Sequence, residues 1–359
     1  MYQALALTLA CLLVGQSSAP QRLTPAQQAR AGWDALNAGK ADVAAAAFDE
    51  ALRSEPREPS LLLGAGLAAH LLGRGDDARR LLMDGLKYDP AFTPASLLLG
   101  ELLYRATDLD GAIQIYAQAL VHQPDHKQLL ARLDAWRKEA ALHDGFARKL
   151  GDHFTVLFEG PAEAELAAMT VDILERAYWR IGSALYTYPP DVITVVLYTR
   201  EQFRDVTQSP EWAGGAYDGR IRVPMLGALK NVGELERVLA HEFTHALVKS
   251  LAPRGVPQWL NEGLAMNFEG MDVASHVERV RATESRHSIS TLERPFSGLD
   301  PKAATLAYAQ SAAAVKLLLD ESGPPAIVGI LTDIARGLPF AEAFQRHTHM
   351  SYEDFQKRF

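Results

Sequence analysis

The chain has 359 residues, which suggests two or three domains at roughly 100–200 residues per domain. Apolar residues make up 48% of the sequence and charged residues 22%, so global disorder is excluded. The formal net charge is −8, and no basic balance indicates nucleic acid or an anionic membrane surface as a partner. The single cysteine, Cys11, excludes a disulfide scaffold, a cysteine-ligated zinc site and a cysteine nucleophile in the body of the chain.

The N-terminus carries an apolar run of 11 residues over 4–14, too short for a membrane helix but of the length of a signal-peptide core. Small residues follow at 17–19, where a cleavage site is expected. We therefore predict a signal peptide over 1–19 and a location in the cell envelope, the periplasm or outside the cell. No Lys or Arg precedes the run, and the alternative is a retained helix of a cytoplasmic protein. No later stretch has the length and apolar character of a transmembrane segment.

A period of 34 residues follows and holds in five columns over three units. The pattern resembles tetratricopeptide repeats, whose unit is a helical hairpin with small residues where its two helices touch. The resemblance covers 23–125 and implies an all-α solenoid, with a capping or linker helix over 126–150. Such arrays hold a peptide or protein partner, and a rigid spacer or dimerisation surface is the alternative. The columns are Gly32, Gly66 and Gly100; Ala44, Ala78 and Ala112; Phe48, Leu82 and Tyr116; Ala51, Gly85 and Ala119; and Pro56, Pro90 and Pro124.

From 151 to 359 the pattern is that of an α+β domain. Alternating or β-branched residues predict strands over 153–158, 192–198 and 216–223, and apolar spacing predicts a helix over 163–186. The last strand contains Arg220 and Arg222, a composition typical of a sheet edge. We expect a mixed, mostly antiparallel sheet followed by helices.

The main chemical signal is HEFTH at 241–245, an HExxH motif. Residues four apart on a helix share a face, so His241 and His245 can reach one ion, and zinc binds neutral imidazole well. The motif alone also fits an amphipathic helix with two solvated histidines. Glu262, in the segment NEG at 261–263, follows His245 by 17 positions and could supply a third ligand, with water in the fourth position.

Together the two motifs resemble the gluzincin metallopeptidases, the clan of thermolysin and the zinc aminopeptidases, and most nearly bacterial peptidase-MA-like proteins with tetratricopeptide repeats. The resemblance implies a thermolysin-like zincin domain in which His241, His245 and Glu262 bind one zinc ion. Glu242 is then the general base, which takes a proton from the zinc-bound water and passes it to the leaving nitrogen. Family members also hold the oxyanion with a Tyr or His across the metal, and Tyr308 matches by position, with a helix-packing aromatic as the alternative.

Two features depart from the family pattern, a missing segment and the residue at position 266. A pair of histidines near the C-terminus is a separate candidate site. No segment matches the Gly-x-Met-Glu-Asn with which zinc aminopeptidases grip the substrate amine, so the resemblance does not support aminopeptidase activity. Met266 stands where thermolysin relatives carry an acidic residue that orients a zinc histidine, so that support must come from elsewhere. His347 and His349 could bind a metal near the C-terminus, with a solvated pair as the alternative.

The sequence thus predicts a zinc-dependent, endopeptidase-like hydrolase whose helical repeats recruit a substrate or protein partner. The resemblance also implies that an extended peptide lies along the strand over 216–223, with an ordinary sheet edge as the alternative. The rival is a catalytically weak or inactive peptidase-like scaffold or assembly factor that binds peptide or protein partners. Nucleic-acid binding lacks a basic run, and serine-nucleophile chemistry lacks a G-x-S-x-G turn.

Overall fold

The computed structural model describes residues 23–207, 215–225, 231–270, 272–283 and 287–359. The predicted signal peptide and Cys11 lie outside these ranges. No helix within them is both long and apolar enough to cross a bilayer. The first six helices form three hairpins that repeat at 34-residue intervals. They are α1 (Pro25–Asn37), α2 (Ala41–Ser54), α3 (Pro59–Leu71), α4 (Gly75–Tyr88), α5 (Thr93–Arg105) and α6 (Leu109–His122).

Small residues set how closely these helices approach. Phe48 is fully buried, and a Cβ added at Gly32 would lie 2.7 Å from its ring. A Cβ at Gly64, in the next repeat, would collide with the same ring, so Phe48 fills the space between two repeats. Tyr116 occupies the equivalent position against Gly100 in the third repeat. The periodic columns therefore mark helix contacts, as the sequence predicts.

The capping helix is shorter than its predicted range. It is α7 (Lys127–His143), and it packs on the third repeat through Leu129, Leu133 and Trp136. The chain then turns at Asp144–Gly145 and forms a strand, β1 (Ala147–Leu150), where a helix was expected. The reason is tertiary, because β1 pairs antiparallel with the next strand, residue 147 opposite 158.

Within the described residues the sheet contains β1 and four further strands, which are β2 (Phe154–Phe158), β3 (Ile193–Tyr198), β4 (Ala216–Tyr217) and β5 (Ile221–Pro224). Their order is β1-β2-β3-β5-β4. The three central strands run parallel and the two outer strands pair antiparallel, so the sheet is mixed but not mostly antiparallel. The single strand expected over 216–223 is a hairpin, and its second arm lies inside the sheet beside β3.

The remaining helices build two cores, and the prediction of an α+β fold is confirmed. These helices are α8 (Ala164–Leu185), α9 (Arg200–Thr207), α10 (Val232–Leu251), α11 (Gln258–Phe268), α12 (Ala274–Ala282), α13 (Pro301–Ala335), α14 (Phe340–Thr348) and α15 (Tyr352–Arg358). One core lies between the sheet and two long helices, α8 and α10. The second core is helical and is centred on α11 and α13.

A buried ionic cluster joins the repeats to the sheet. Glu139, on α7, accepts from Arg220 at 3.0 Å, pairs with Arg222 at 2.8 Å and accepts from the Tyr104 hydroxyl at 2.7 Å. The side chains of all three charged residues are at most 8% exposed. Reading these two arginines as the mark of a solvated sheet edge is therefore wrong. Burying them requires a paired carboxylate, which the capping helix α7 supplies.

Candidate metal centre

Helix α10 carries the two histidines and is oriented by its apolar stripe. Asn231 caps its first turn, where its side chain accepts from the Glu234 N–H at 3.1 Å. The apolar stripe lies in the core against the sheet. Because this stripe is fixed on the sheet, the half-buried His241 and His245 lie together on another side of the helix. The stripe consists of Leu235, Leu239, Phe243, Ala246 and Leu247.

Helix α11 brings Glu262 to these histidines. It begins after Pro257, whose fixed φ suits a helix start, and it contacts α10 on one side and α13 on the other. Gly263 allows α11 to pack closely against α13, because a Cβ there would collide with the backbone carbonyl of Ser311 on α13. The glycine that follows the glutamate in the NEG segment thus has a packing role.

The structure brings the side chains of His241, His245 and Glu262 together. The Nε2 atoms of both histidines lie 3.5 Å from Glu262 Oε2, and the ligand atoms of all three residues fall within 4.8 Å of one another. Tetrahedral zinc with bonds of about 2.0–2.1 Å separates its ligand atoms by about 3.3 Å. The donor set and its spacing therefore fit one divalent ion, and among the described residues this is the one such group of three.

Each member of this group has an outer hydrogen bond that orients it. His241 Nδ1 lies 2.8 Å from Glu269 Oε2, and His245 Nδ1 lies 3.1 Å from Asn261 Oδ1. Glu262 accepts from Gln258 Nε2 through its other oxygen, Oε1, at 2.7 Å. Both Nε2 atoms and one carboxylate oxygen are thereby directed at a common point, the usual arrangement around a protein-bound metal.

Glu269 replaces the acidic residue that thermolysin relatives carry at the position of Met266. It is not among the site residues that the sequence predicts. It is buried and also pairs with Arg237 at 3.1 Å. Glu269 follows Glu262 by seven residues, which is two helical turns, so it returns to the same side of α11. The seven-residue spacing is the sequence signal for this contact, and it differs from the four-residue spacing of thermolysin relatives.

Glu242 lies beside this group and is buried. It is 6% exposed, and a Cβ added at Gly215, just before β4, would lie 2.7 Å from its Oε1. Burial raises the pKa of Glu242, against the opposing charges of the two neighbouring histidines. A carboxyl group with a raised pKa near a metal centre suits proton transfer at neutral pH.

The electrostatics of the cluster favour a cation. Burial opposes the ionisation of Glu262, but His245 and the hydrogen bonds of both histidines hold its pKa well below its usual range. Burial likewise opposes the charging of His241, yet its hydrogen bonds with Glu262 and Glu269 raise its pKa to about 10. Glu262 therefore stays ionised and presents a negative charge at the point where the three residues meet.

Tyr308 lies near the two glutamates at the start of α13. Its ring packs edge-on against Phe296, with 5.3 Å between centroids, and it also contacts the cluster around Met266. Burial raises the pKa of Tyr308, and the charges of Glu262 and Glu242 raise it further. The hydroxyl therefore stays protonated and within electrostatic range of the site, while its role in the reaction stays a prediction.

The C-terminal histidines are not brought together as a metal site. His347 Nε2 lies 2.9 Å from Asp333 Oδ2, and Arg346 donates to the same oxygen at 3.0 Å. His349 occupies the left-handed position that ends α14, with φ of 56°. Within the described ranges neither residue joins a group of three potential ligands.

Comparisons with known proteins agree with this architecture. Residues 184–358 match the Peptidase MA superfamily, and residues 30–87 and 73–133 match two tetratricopeptide-repeat families. The chain thus joins tetratricopeptide repeats to a Peptidase MA superfamily domain, which confirms that resemblance. No curated protein matches the chain. One similar solved structure is the first tetratricopeptide repeat of Spaghetti (RPAP3) bound to the HSP90 peptide SRMEEVD, at 18% identity and a TM-score of 0.31, over 33% of this chain and 96% of that one.

Proposed function

We propose that this chain is a zinc-dependent, endopeptidase-like hydrolase with a helical array that recruits its substrate or a protein partner. The observation that carries the proposal is the convergence of His241, His245 and Glu262, with Nε2–Oε2 distances of 3.5 Å, beside the buried Glu242. A His₂Glu donor set leaves one tetrahedral position for water or substrate, as in catalytic rather than structural zinc sites.

The roles of the side chains follow from their placement. His241, His245 and Glu262 would hold zinc, which when bound polarises a carbonyl and lowers the pKa of a coordinated water. Glu242 would accept the proton of the attacking water and deliver it to the leaving nitrogen, which becomes an amine when the C–N bond breaks. Tyr308 would donate a hydrogen bond from its neutral hydroxyl to the oxygen that gains negative charge.

Elemental analysis tests the metal assignment directly. Purified wild-type protein should contain one equivalent of zinc, and His241→Ala should lose it, because two donors no longer close the site. His347→Ala is the matched control and should keep the metal, since His347 pairs with Asp333. Equal zinc in wild type and His241→Ala, or loss in His347→Ala alone, would contradict the assignment.

Glu269 should act as a positioning residue for the metal. Removing the carboxylate that holds His241 Nδ1, by Glu269→Ala, should lower zinc affinity by about 10-fold to 100-fold, with Glu269→Gln in between. Affinity is measured by competition with a chelator. Glu234→Ala removes the other carboxylate on Arg237 without touching His241, so it should leave the affinity nearly unchanged. Equal losses in both alanine variants would reduce Glu269 to a merely structural role.

The repeats support the proposal of a peptide or protein partner because of the surface that they form. Stacked helical hairpins expose a long continuous surface, which such arrays use for binding. Met266 would favour the rival scaffold function if it left a histidine of the site without acidic support. Glu269 provides such support from another position, at 2.8 Å from His241, so Met266 does not favour the rival.

We also propose a location in the cell envelope, on the apolar run over residues 4–14 and the small residues at 17–19. Cleavage after residue 19 would leave a mature chain without cysteine, which suits an oxidising compartment. N-terminal sequencing of the protein from its native cells tests this. A mature chain that begins at Pro20 supports the proposal, whereas an intact Met1 contradicts it.

A further inference from the structure

A cavity of about 540 Å³ lies where the repeats, the β4–β5 hairpin and the end of α10 meet. Arg105 enters it from the third repeat, and Asp218 and Gly219 from the hairpin. Gly219 has φ of 114° and contacts the Arg105 carbonyl so closely that a Cβ would collide with it. His245 and its partner Asn261 also line the cavity, so it lies next to one histidine of the candidate metal centre.

The cavity is lined by positively charged side chains that form no ion pair with any of the described residues. Its lining includes Arg105, Lys249 and Arg254, and none of the three forms an ion pair there. Arg254 Nη1 is buried without a hydrogen-bond partner among these residues. Lys249 donates to the carbonyl of Pro253, which is neutral. The one lining acid is Asp218, whose carboxylate already accepts from Arg222 at 3.1 Å.

The cations act on one another through this cavity. Burial and the charge of Arg105 lower the pKa of Arg254 to about 10. Burial, then Arg254, Arg105 and Lys249, lower the pKa of His70, on the facing helix α3, to about 4. In a chain whose net charge is −8, this is a local concentration of unpaired positive charge. An unpaired buried guanidinium N–H is costly, and an anion relieves that cost.

We propose that this cavity binds a carboxylate of the peptide substrate, either its C-terminal α-carboxylate or an Asp or Glu side chain. Planar guanidinium groups pair with planar carboxylates through parallel hydrogen bonds, so the chemistry matches. The apolar part of the lining, Val248, Ala252 and Val256, accommodates the methylene groups beside such a carboxylate. The inference rests on the proposed function for the idea that a peptide lies at the adjacent metal centre.

Peptide binding to the full-length Glu242→Gln variant tests the proposal without turnover. The probes are Ala-Ala-Ala-Ala-Glu and Ala-Ala-Ala-Ala-Gln, each with an uncharged dansyl label at the N-terminus and a free or an amidated C-terminus, followed by fluorescence anisotropy. We expect the peptide with Glu and a free terminus to bind roughly 10-fold more tightly than the doubly neutral one, as for a hydrogen bond to a charged group. The two singly charged peptides show which carboxylate is recognised.

Arg254→Met and Arg105→Met should each remove most of this preference, measured as the ratio of the affinities for the charged and the doubly neutral peptides. Arg105 is exposed, so its variant should fold even if the Arg254 variant does not. Arg30→Met, an exposed charge removal on α1 outside the cavity, should keep the preference. Equal affinity for all four peptides, or equal loss in Arg30→Met, would overturn the proposal.

The outcome stays distinguishable from a failure of the proposed function. If the wild type hydrolyses peptides but the four probes bind equally, the carboxylate cavity is wrong and the hydrolase stands. If the probes show the Arg254-dependent preference but no peptide is hydrolysed in a Glu242-dependent manner, the cavity is supported and the hydrolase is wrong.

Discussion

Glu242→Gln should lower kcat for peptide hydrolysis by about 100-fold to 10,000-fold while zinc stays at one equivalent per chain. The variant keeps the size of the side chain but removes the group that accepts the proton. It should also fold normally, because Glu242 makes no ion pair among the described residues and burial already disfavours its charge. The measurement is the initial rate on an internally quenched peptide, at equal zinc content confirmed by elemental analysis.

The matched control is Glu236→Gln on the same helix. Glu236 pairs with Arg176 at 3.2 Å on the surface, with both side chains more than half exposed, so its loss should leave kcat unchanged. Equal activity in wild type and Glu242→Gln would exclude the proposed mechanism. Zinc at one equivalent with no hydrolysis by the wild type would instead favour the scaffold that binds peptide without cleaving it.

The second large effect concerns the junction between repeats and sheet. Glu139→Gln should lower the free energy of unfolding by about 3–5 kcal/mol, because it leaves two buried arginines short of their shared carboxylate. Arg222 retains Asp218 and Arg220 retains the Thr107 carbonyl, so the variant should still fold. Urea unfolding followed by circular dichroism measures the loss, and we expect the single transition to separate into two as the units uncouple.

Glu236→Gln again serves as the comparison for stability. Its exposed pair should contribute about 1 kcal/mol at most. A loss in Glu139→Gln no larger than in this control would show that the buried cluster does not hold the two units together. A large loss with one sharp transition would show that the cluster stabilises the fold but that the units unfold together.

Backbone strain at the same junction supports its importance. In the first two repeats the turn between the helices has glycine in the left-handed region, Gly39 and Gly73, with φ of 72° and 76°. The third repeat has Thr107 at this position with φ of 65°, which costs a residue with a Cβ roughly 1–2 kcal/mol. The carbonyl of Thr107 accepts from Arg220 at 2.8 Å, so contact with the sheet accompanies the strained turn.

Local sequence patterns predicted the structure well where the contacts that determine it are close in sequence. The repeat columns fix helices of equal length and spacing, because each buried ring meets a glycine in its own or the next hairpin. The pair of histidines also follows from helix geometry alone. Placing Glu262 needed only one turn between two neighbouring helices, which is why spacing sufficed.

Features that depend on distant partners could not be predicted in the same way. In the sequence, Arg220 and Arg222 are typical of a solvated sheet edge. Only the fold shows that Glu139, about 80 residues earlier in the chain, faces them. The strand at 147–150 follows a helical pattern and forms only because β2 is available to pair with it. The cationic cavity likewise draws its charges from the third repeat, α10 and the loop after it, and no segment alone shows their clustering.

The buried cluster at Glu139 has a consequence for how a tethered chain would reach the metal centre. If one end of a polypeptide were anchored on the hairpins, the rigid junction would fix the span from anchor to scissile bond. The effective concentration of that bond would then depend on the slack between the two points, peaking when its length matches the span and falling steeply beyond it. Cleavage would be selected by a measured distance as well as by local sequence.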